Sequence, residues 1–234
     1  MSLAGLANAA RARVRDLEAF ALPQRCPGCG APAEPARLLC EACLDLLPAL
    51  SFALCARCLV RGREPVGCAG HPHAQVWPAL VYEERSALLV HALKYGARPG
   101  LAAALAGRIA EALPAGVLPD LVTAVPLHPA RRRERGYDQA WLLAEHLAGL
   151  LGVPALAGVL VRTRATRAQA RLDPEARRRN LAGAFQVPEP RRYRERRVLV
   201  VDDVITTGAT LEACLGALAA AGARPVGAVL AWAQ

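Results

Sequence analysis

The stretch with the most chemistry is Val198-Leu-Val-Val-Asp202-Asp203-Val-Ile-Thr206-Thr207-Gly208-Ala-Thr210. An apolar run carries two adjacent carboxylates to its end, and a turn of small hydroxyl residues opens the next helix. Ionised Asp202 and Asp203 only accept hydrogen bonds. That suits vicinal hydroxyls of a ribose and also helps to place a divalent cation. Thr206, Thr207, Gly208 and Thr210 surround a helix N-terminus, whose free N–H groups and dipole favour an anion. Gly208 permits the tight turn and a close approach of backbone to a phosphate. A helix cap explains one carboxylate or one hydroxyl. It does not explain two adjacent acids followed by Thr-Thr-Gly-Ala-Thr.

Cysteines form the second constellation. Cys26-x2-Cys29 and Cys40-x2-Cys43 are two knuckles that together suit one tetrahedral, four-thiolate zinc. Cys55-x2-Cys58 and Cys68-x2-His71 nearly repeat that spacing, with His73 as an alternative ligand. One or two structural zinc ions fit the pattern. The pairs join either in sequence or interleaved, first with third and second with fourth. Such closed sites contribute folding free energy rather than catalysis. Cys214, inside a helix, reads as a small core residue.

Positive charge is concentrated. The chain carries +9, and between Arg131 and Arg197 stand 16 arginines against 7 acidic residues. A block of this kind attracts a polyanion, either nucleic acid or a diphosphate, or else forms a solvated face. Arg131, Arg132, Arg133 and Arg135 suit a nucleic-acid face as well as a diphosphate clamp. His128, between two nearby prolines, stabilises a turn or meets the anion. Lys94, the only lysine, either snorkels at a helix end or reaches the same anion.

These groups need elements to hold them. Apolar residues make up 54% and aromatics 4% of the 234 residues, which favours an α/β domain over an aromatic-rich β-sandwich. Residues 1–22 hold an amphipathic helix, 23–74 a cysteine-rich zinc-ribbon-like module apart from the main core, and 75–234 an alternation of strands and helices. Strands are expected at Val76–Tyr82, Leu121–Val125, Leu156–Val161, Arg197–Val201 and Pro225–Trp232. Helices are expected near 84–95, 99–113, Tyr137–Leu151, Glu175–Leu181 and Thr210–Ala221. Short, nearly all-apolar strands between helices imply a parallel sheet covered on both faces, with ligands beyond the strands' carboxyl ends. No secretory signal or membrane-spanning run is legible, so a soluble, cytoplasmic protein with reduced thiols is expected.

The Asp202–Thr210 stretch resembles the phosphoribosyl-diphosphate signature of type I phosphoribosyltransferases. That resemblance implies their fold, with Asp202 and Asp203 as the catalytic carboxylates on the ribose hydroxyls and Thr206, Thr207, Gly208 and Thr210 around the 5′-phosphate. A narrower likeness runs from Cys26 to the last strand. Val125-Pro126-Leu127-His128-Pro129, the run from Arg131 to Gln139 and His91-Ala-Leu-Lys94-Tyr95-Gly96 are similar to the ComF family of competence-associated proteins. So are Arg164, Thr166, Gln169, Arg179, Asn180, Gly183 and Phe185. The chain departs from that family at Cys68 and His71, where a cysteine pair often stands.

The resemblance makes the loop after Leu121–Val125 the diphosphate site, served by His128, Arg131 and Lys94, and 162–180 a mobile loop over it. It implies loss of Mg²⁺-bound diphosphate through an oxocarbenium-like state, with no residue naming the acceptor. It also implies single-stranded DNA handled with the DNA-import machinery during natural transformation, peripherally at the inner face of the membrane. The rivals are a metabolic enzyme transferring phosphoribose to a nucleobase or other small acceptor, and a non-catalytic sensor.

Overall fold

The computed structural model describes residues 25–33, 38–62, 68, 70–71, 74–96, 98–164 and 174–234. The expected N-terminal helix, His73, Thr166 and Gln169 lie outside the described residues. A six-stranded sheet organises the chain, in the order β2 (Arg61–Gly62), β1 (Ala53–Cys55), then β3, β8, β7 and β4. Its centre is parallel: β3 (Gln75–Val81), β8 (Arg224–Trp232), β7 (Arg197–Ile205) and β4 (Leu121–Ala124). Two helices, α2 (Glu84–Tyr95) and α3 (Leu101–Ala112), cross from β3 to β4. After β4 come α4 (Pro129–Arg135) and α5 (Gln139–Leu151), while α8 (Ala209–Ala220) joins β7 to its neighbour β8.

Strand β7 shows why the sheet is covered twice. Its side chains alternate, so Leu199 and Val201 bury on one face and Val198 and Val200 on the other. On the first face they meet Leu105 and Ile109 of α3 and Leu143 and Leu147 of α5. On the second they meet Leu211, Leu215 and Leu218 of α8 with Phe185 and Tyr193. Cys214 is fully buried there, and burial pushes its thiol well above the usual range, as befits a core residue.

The cysteine-rich segment does not stand apart as expected. Its strand β1 (Ala53–Cys55) pairs antiparallel with β3 and carries β2 (Arg61–Gly62) on its outer edge. Cys26, Leu39, Cys43 and Leu47 join the first buried cluster, Leu54 and Cys55 the second. A segment this short cannot close a core of its own, and it buries its apolar residues against the larger sheet. The short helix α1 (Glu41–Asp45) carries Cys43 into that contact.

One expected strand is absent. Leu156–Val161 forms no sheet strand; instead Ala155 makes a single parallel bridge to Val122 and the chain turns at Gly158. Only β5 (Val161–Arg162) follows, antiparallel to β6 (Phe185–Gln186) in a separate two-stranded ribbon. The apolar residues that suggested a strand, Val159 and Leu160, bury in the second cluster without ladder partners. The loop between the two ribbon strands contains α6 (Pro174–Leu181), and α7 (Pro190–Tyr193) leads into β7.

Candidate ribose-phosphate site and metal clusters

Strands β4 and β7 end side by side, and their carboxyl ends floor a cleft of about 270 Å³. It is lined by Lys94, His128, Arg131, Arg135, Asp202 and Asp203, together with Thr210 at its margin. Four elements and the loop after β4 supply these side chains, which explains why sequence spacing alone does not bring them together. A second, small cup of about 30 Å³ continues from Asp202 through Thr206, Thr207 and Gly208 to Thr210. The carboxylates and the threonine turn therefore share one continuous edge.

The two acids have different surroundings. Asp203 is buried, and Lys94 Nζ lies 2.7 Å from its Oδ1 while Gln139 Nε2 donates to its Oδ2 at 2.6 Å. Gln139 is itself buried, and among the described residues its Oε1 has no hydrogen-bond partner. Asp202 accepts the Asp203 backbone N–H at 2.8 Å. Burial, then the neighbouring Asp203 carboxylate, pushes Asp202 up to about 8. The sequence suggests two ionised acceptors. Burial beside a second carboxylate favours the protonated form of Asp202, which donates as well as accepts, unless a cation takes the proton's place.

Helix α4 sorts the arginine run. Residues four apart share a face, so Arg131 and Arg135 both reach the cleft. Arg132 turns into an adjoining cavity of about 210 Å³ with Thr123, Asp138 and Trp141. Arg133 is exposed. The expected diphosphate loop is shorter than the sequence suggests, because Pro129 already begins the helix, a position its fixed φ favours. Asp138 caps α5 by accepting the Trp141 N–H, and burial raises its carboxyl. That cap fixes the helix that presents Gln139 to Asp203.

Sequence reasoning passed over three residues at this site. Gln139 sits within a quoted motif, but nothing local shows that it reaches Asp203, 64 positions away. Tyr95 is 54% exposed, lines the cleft mouth and lies under the Arg135 guanidinium, 4.8 Å from ring centroid to Cζ. His91, one turn earlier on α2, packs against the same ring at 4.9 Å. Their i, i+4 spacing is the signal that was available. Of the other aromatic residues near the basic block, Phe185 and Tyr193 are core, Tyr137 donates its hydroxyl to Leu93 O, and Trp141 lines the adjoining cavity.

The cysteines gather into two clusters, sequentially and not interleaved: Cys26, Cys29, Cys40 and Cys43, then Cys55, Cys58, Cys68 and His71. Within each, the ligand atoms lie within 4.8 Å of one another. Cys29 and Cys40 Sγ are 3.6 Å apart, Cys58 and Cys68 Sγ 3.7 Å, and His71 Nδ1 is 3.4 Å from Cys68 Sγ. A tetrahedron of about 2.3 Å zinc–sulfur bonds has edges of about 3.8 Å, so both donor sets fit zinc. These separations exceed a disulfide bond, and the cysteines are free. Gly28 has a structural reason, since a Cβ there would stand 2.8 Å from Cys43 Sγ.

A parallel sheet with paired acids and a threonine turn at its carboxyl edge defines a phosphoribosyltransferase-type domain. The family model of the phosphoribosyl transferase domain matches residues 138–234. The DNA utilization protein YhgH of Salmonella typhi is 33% identical over 195 residues, 80% of this chain and 74% of that protein. YhgH of Escherichia coli strain K12 is 32% identical over 192 residues, with the same coverage. Competence protein F of Haemophilus influenzae is 42% identical over 95 residues, 40% of this chain and 42% of that protein. The chain belongs to the ComF family of phosphoribosyltransferase-like proteins. No helix among the described residues is long and apolar enough to cross a membrane.

Proposed function

We propose that this protein binds phosphoribosyl diphosphate with Mg²⁺ in the β4–β7 cleft and single-stranded DNA beside it, in support of DNA uptake during natural transformation. The observation that carries the first half is the convergence of Asp202 and Asp203 with Lys94, His128 and Arg131 around one cleft. The ribose hydroxyls meet Asp202 and Asp203, with Gln139 holding the Asp203 carboxylate in place. The 5′-phosphate takes the turn from Thr206 to Thr210, and the diphosphate faces His128, Arg131 and Lys94. The carboxylates are the hard oxygen donors that suit Mg²⁺, which neutralises diphosphate charge. Cations on one side and carboxylates on the other separate a leaving anion from a developing oxocarbenium, the electrostatic arrangement that such a transfer needs.

The nucleic-acid half rests on Arg132 and Arg133 flanking the cleft, and on the exposed Tyr95 ring beneath Arg135. Bases stack on aromatic faces while arginines follow the backbone. The similarity to the DNA utilization and competence proteins supports that reading and its DNA-import partners.

The test is calorimetric titration of zinc-loaded protein with phosphoribosyl diphosphate and Mg²⁺, with and without a short single-stranded oligonucleotide. Ligand binding together with salt-sensitive DNA binding is expected. Tight ligand binding with no DNA affinity would favour a metabolic transferase acting on a small acceptor.

A further inference from the structure

Cys55 and Cys58 of the second cluster are separated only by Ala56 and Arg57; the Ala56 carbonyl abuts the threonine turn, and the Arg57 carbonyl is held by α6. Ala56 is fully buried, and its carbonyl lies so close to Gly208 that a Cβ there would stand 1.7 Å from the oxygen. The Arg57 carbonyl accepts from Arg178 of α6, whose guanidinium also donates to Thr207 O at 3.4 Å. Glu212, in the first turn of α8, ties the assembly: Arg57 Nη1 reaches its Oε1 at 2.5 Å and Arg178 Nε its Oε2 at 3.1 Å. Metal knuckle, threonine turn and α6 thus meet at one point. The first cluster packs against the opposite face of the sheet.

We infer that the second cysteine cluster holds the threonine turn in its phosphate-binding geometry, with Arg178 as the positioning residue, so that phosphate binding and metal retention at this cluster are coupled. The proposal rests on the ribose-phosphate reading of the Thr206–Thr210 turn. Its physical basis is contiguity. A four-ligand metal fixes the conformation of Cys55–Cys58, and that conformation sets where the Ala56 carbonyl meets Gly208. Gly208 adopts φ +74° at the start of α8, so its backbone is confined from both sides. Releasing the knuckle loosens the turn, and by linkage an anion that orders the turn must tighten the metal.

The experiment uses the full chain loaded with zinc, or with cobalt to distinguish the tetrathiolate from the histidine-containing cluster by absorption. Ribose 5-phosphate is the ligand, because it needs no added cation. Arg178→Ala should weaken its binding about tenfold with both metals retained, whereas Arg191→Ala, on an exposed site, should not. At equilibrium with a competing chelator, saturating ribose 5-phosphate should raise several-fold the chelator needed to strip the second cluster and leave the first unchanged. Arg178→Ala should abolish that protection. Equal ligand affinity in Arg178→Ala, or metal retention indifferent to ligand, would overturn the coupling. Weaker binding without any metal effect would likewise overturn it, making Arg178 a direct ligand contact. A wild-type chain that binds no ribose 5-phosphate would remove the ribose-phosphate reading, and the coupling with it.

Discussion

Asp202 and Asp203 are neighbours in sequence and opposites in chemistry. Asp203 is compensated by Lys94 and Gln139, whereas burial and the adjacent carboxylate push Asp202 up to about 8 from its ordinary 3.8. Across that window the native chain keeps a proton that the unfolded chain has lost, so stability falls as the pH rises from about 4 to about 8 and levels off above. Asp202→Asn, with no proton to lose, should remove that fall, read as midpoints of urea unfolding over the same range. Affinity for phosphoribosyl diphosphate with Mg²⁺ should climb with pH towards 8 in the wild type and not in the variant. Lys94 is the counter-charge of a largely buried pair, with side-chain exposures of 19% for Lys94 and 8% for Asp203. Lys94→Met should therefore cost about 3–5 kcal/mol of stability, the usual result of orphaning a buried charge. A melting temperature unchanged from wild type would contradict the pairing.

At the level of elements, helix α4 turns one basic run in three directions. Arg131 and Arg135 face the cleft, Arg132 the adjoining cavity and Arg133 solvent. Arg131→Ala should weaken phosphoribosyl diphosphate binding. The Arg132→Ala, Arg133→Ala pair should instead weaken single-stranded DNA and flatten its log–log salt dependence by about 1.4, at about 0.7 per phosphate contact. Loss of diphosphate affinity in the pair would move those arginines into the substrate site. On the proposed DNA reading the exposed Tyr95 ring of α2 is the stacking face, and Tyr95→Ala should cost DNA binding about 1–3 kcal/mol while sparing an abasic strand of equal length. Equal losses on both strands would reduce Tyr95 to a support for Arg135.

For the whole molecule, the two cysteine clusters lie against opposite faces of one sheet. Cys26 and Cys43 bury with the α3–α5 layer and Cys55 with the α8 layer. Chelation should therefore lower the thermal midpoint of the entire fold and not melt a separate appendage first. Elemental analysis of purified protein should give two zinc ions per chain, matching the two clusters. One ion, retained in a Cys55→Ser variant, would leave the second cluster as thiols alone.

Much of this was written in the order of the residues. The apolar strand before Asp202, the Thr-Thr-Gly turn, the paired Cys-x2-Cys knuckles and the alternation of strands and helices are local patterns, with spacings that impose their own geometry. The helix at 84–95 and the strands around 76, 121, 197 and 225 follow from short-range periodicity, and the structure has them there. Leu156–Val161 misled because an apolar run announces burial, and burial does not require a ladder partner. Sequence order also could not join Gln139 and Lys94 to Asp203, or Ala56 to Gly208, since those contacts are made only when the parallel sheet closes. The pairing of the cysteines was open for the same reason: spacing limits which thiols can share a metal, and the position of β1 between β2 and β3 selects among them. Local chemistry named the groups, and the packing of two layers on one sheet decided which of them meet.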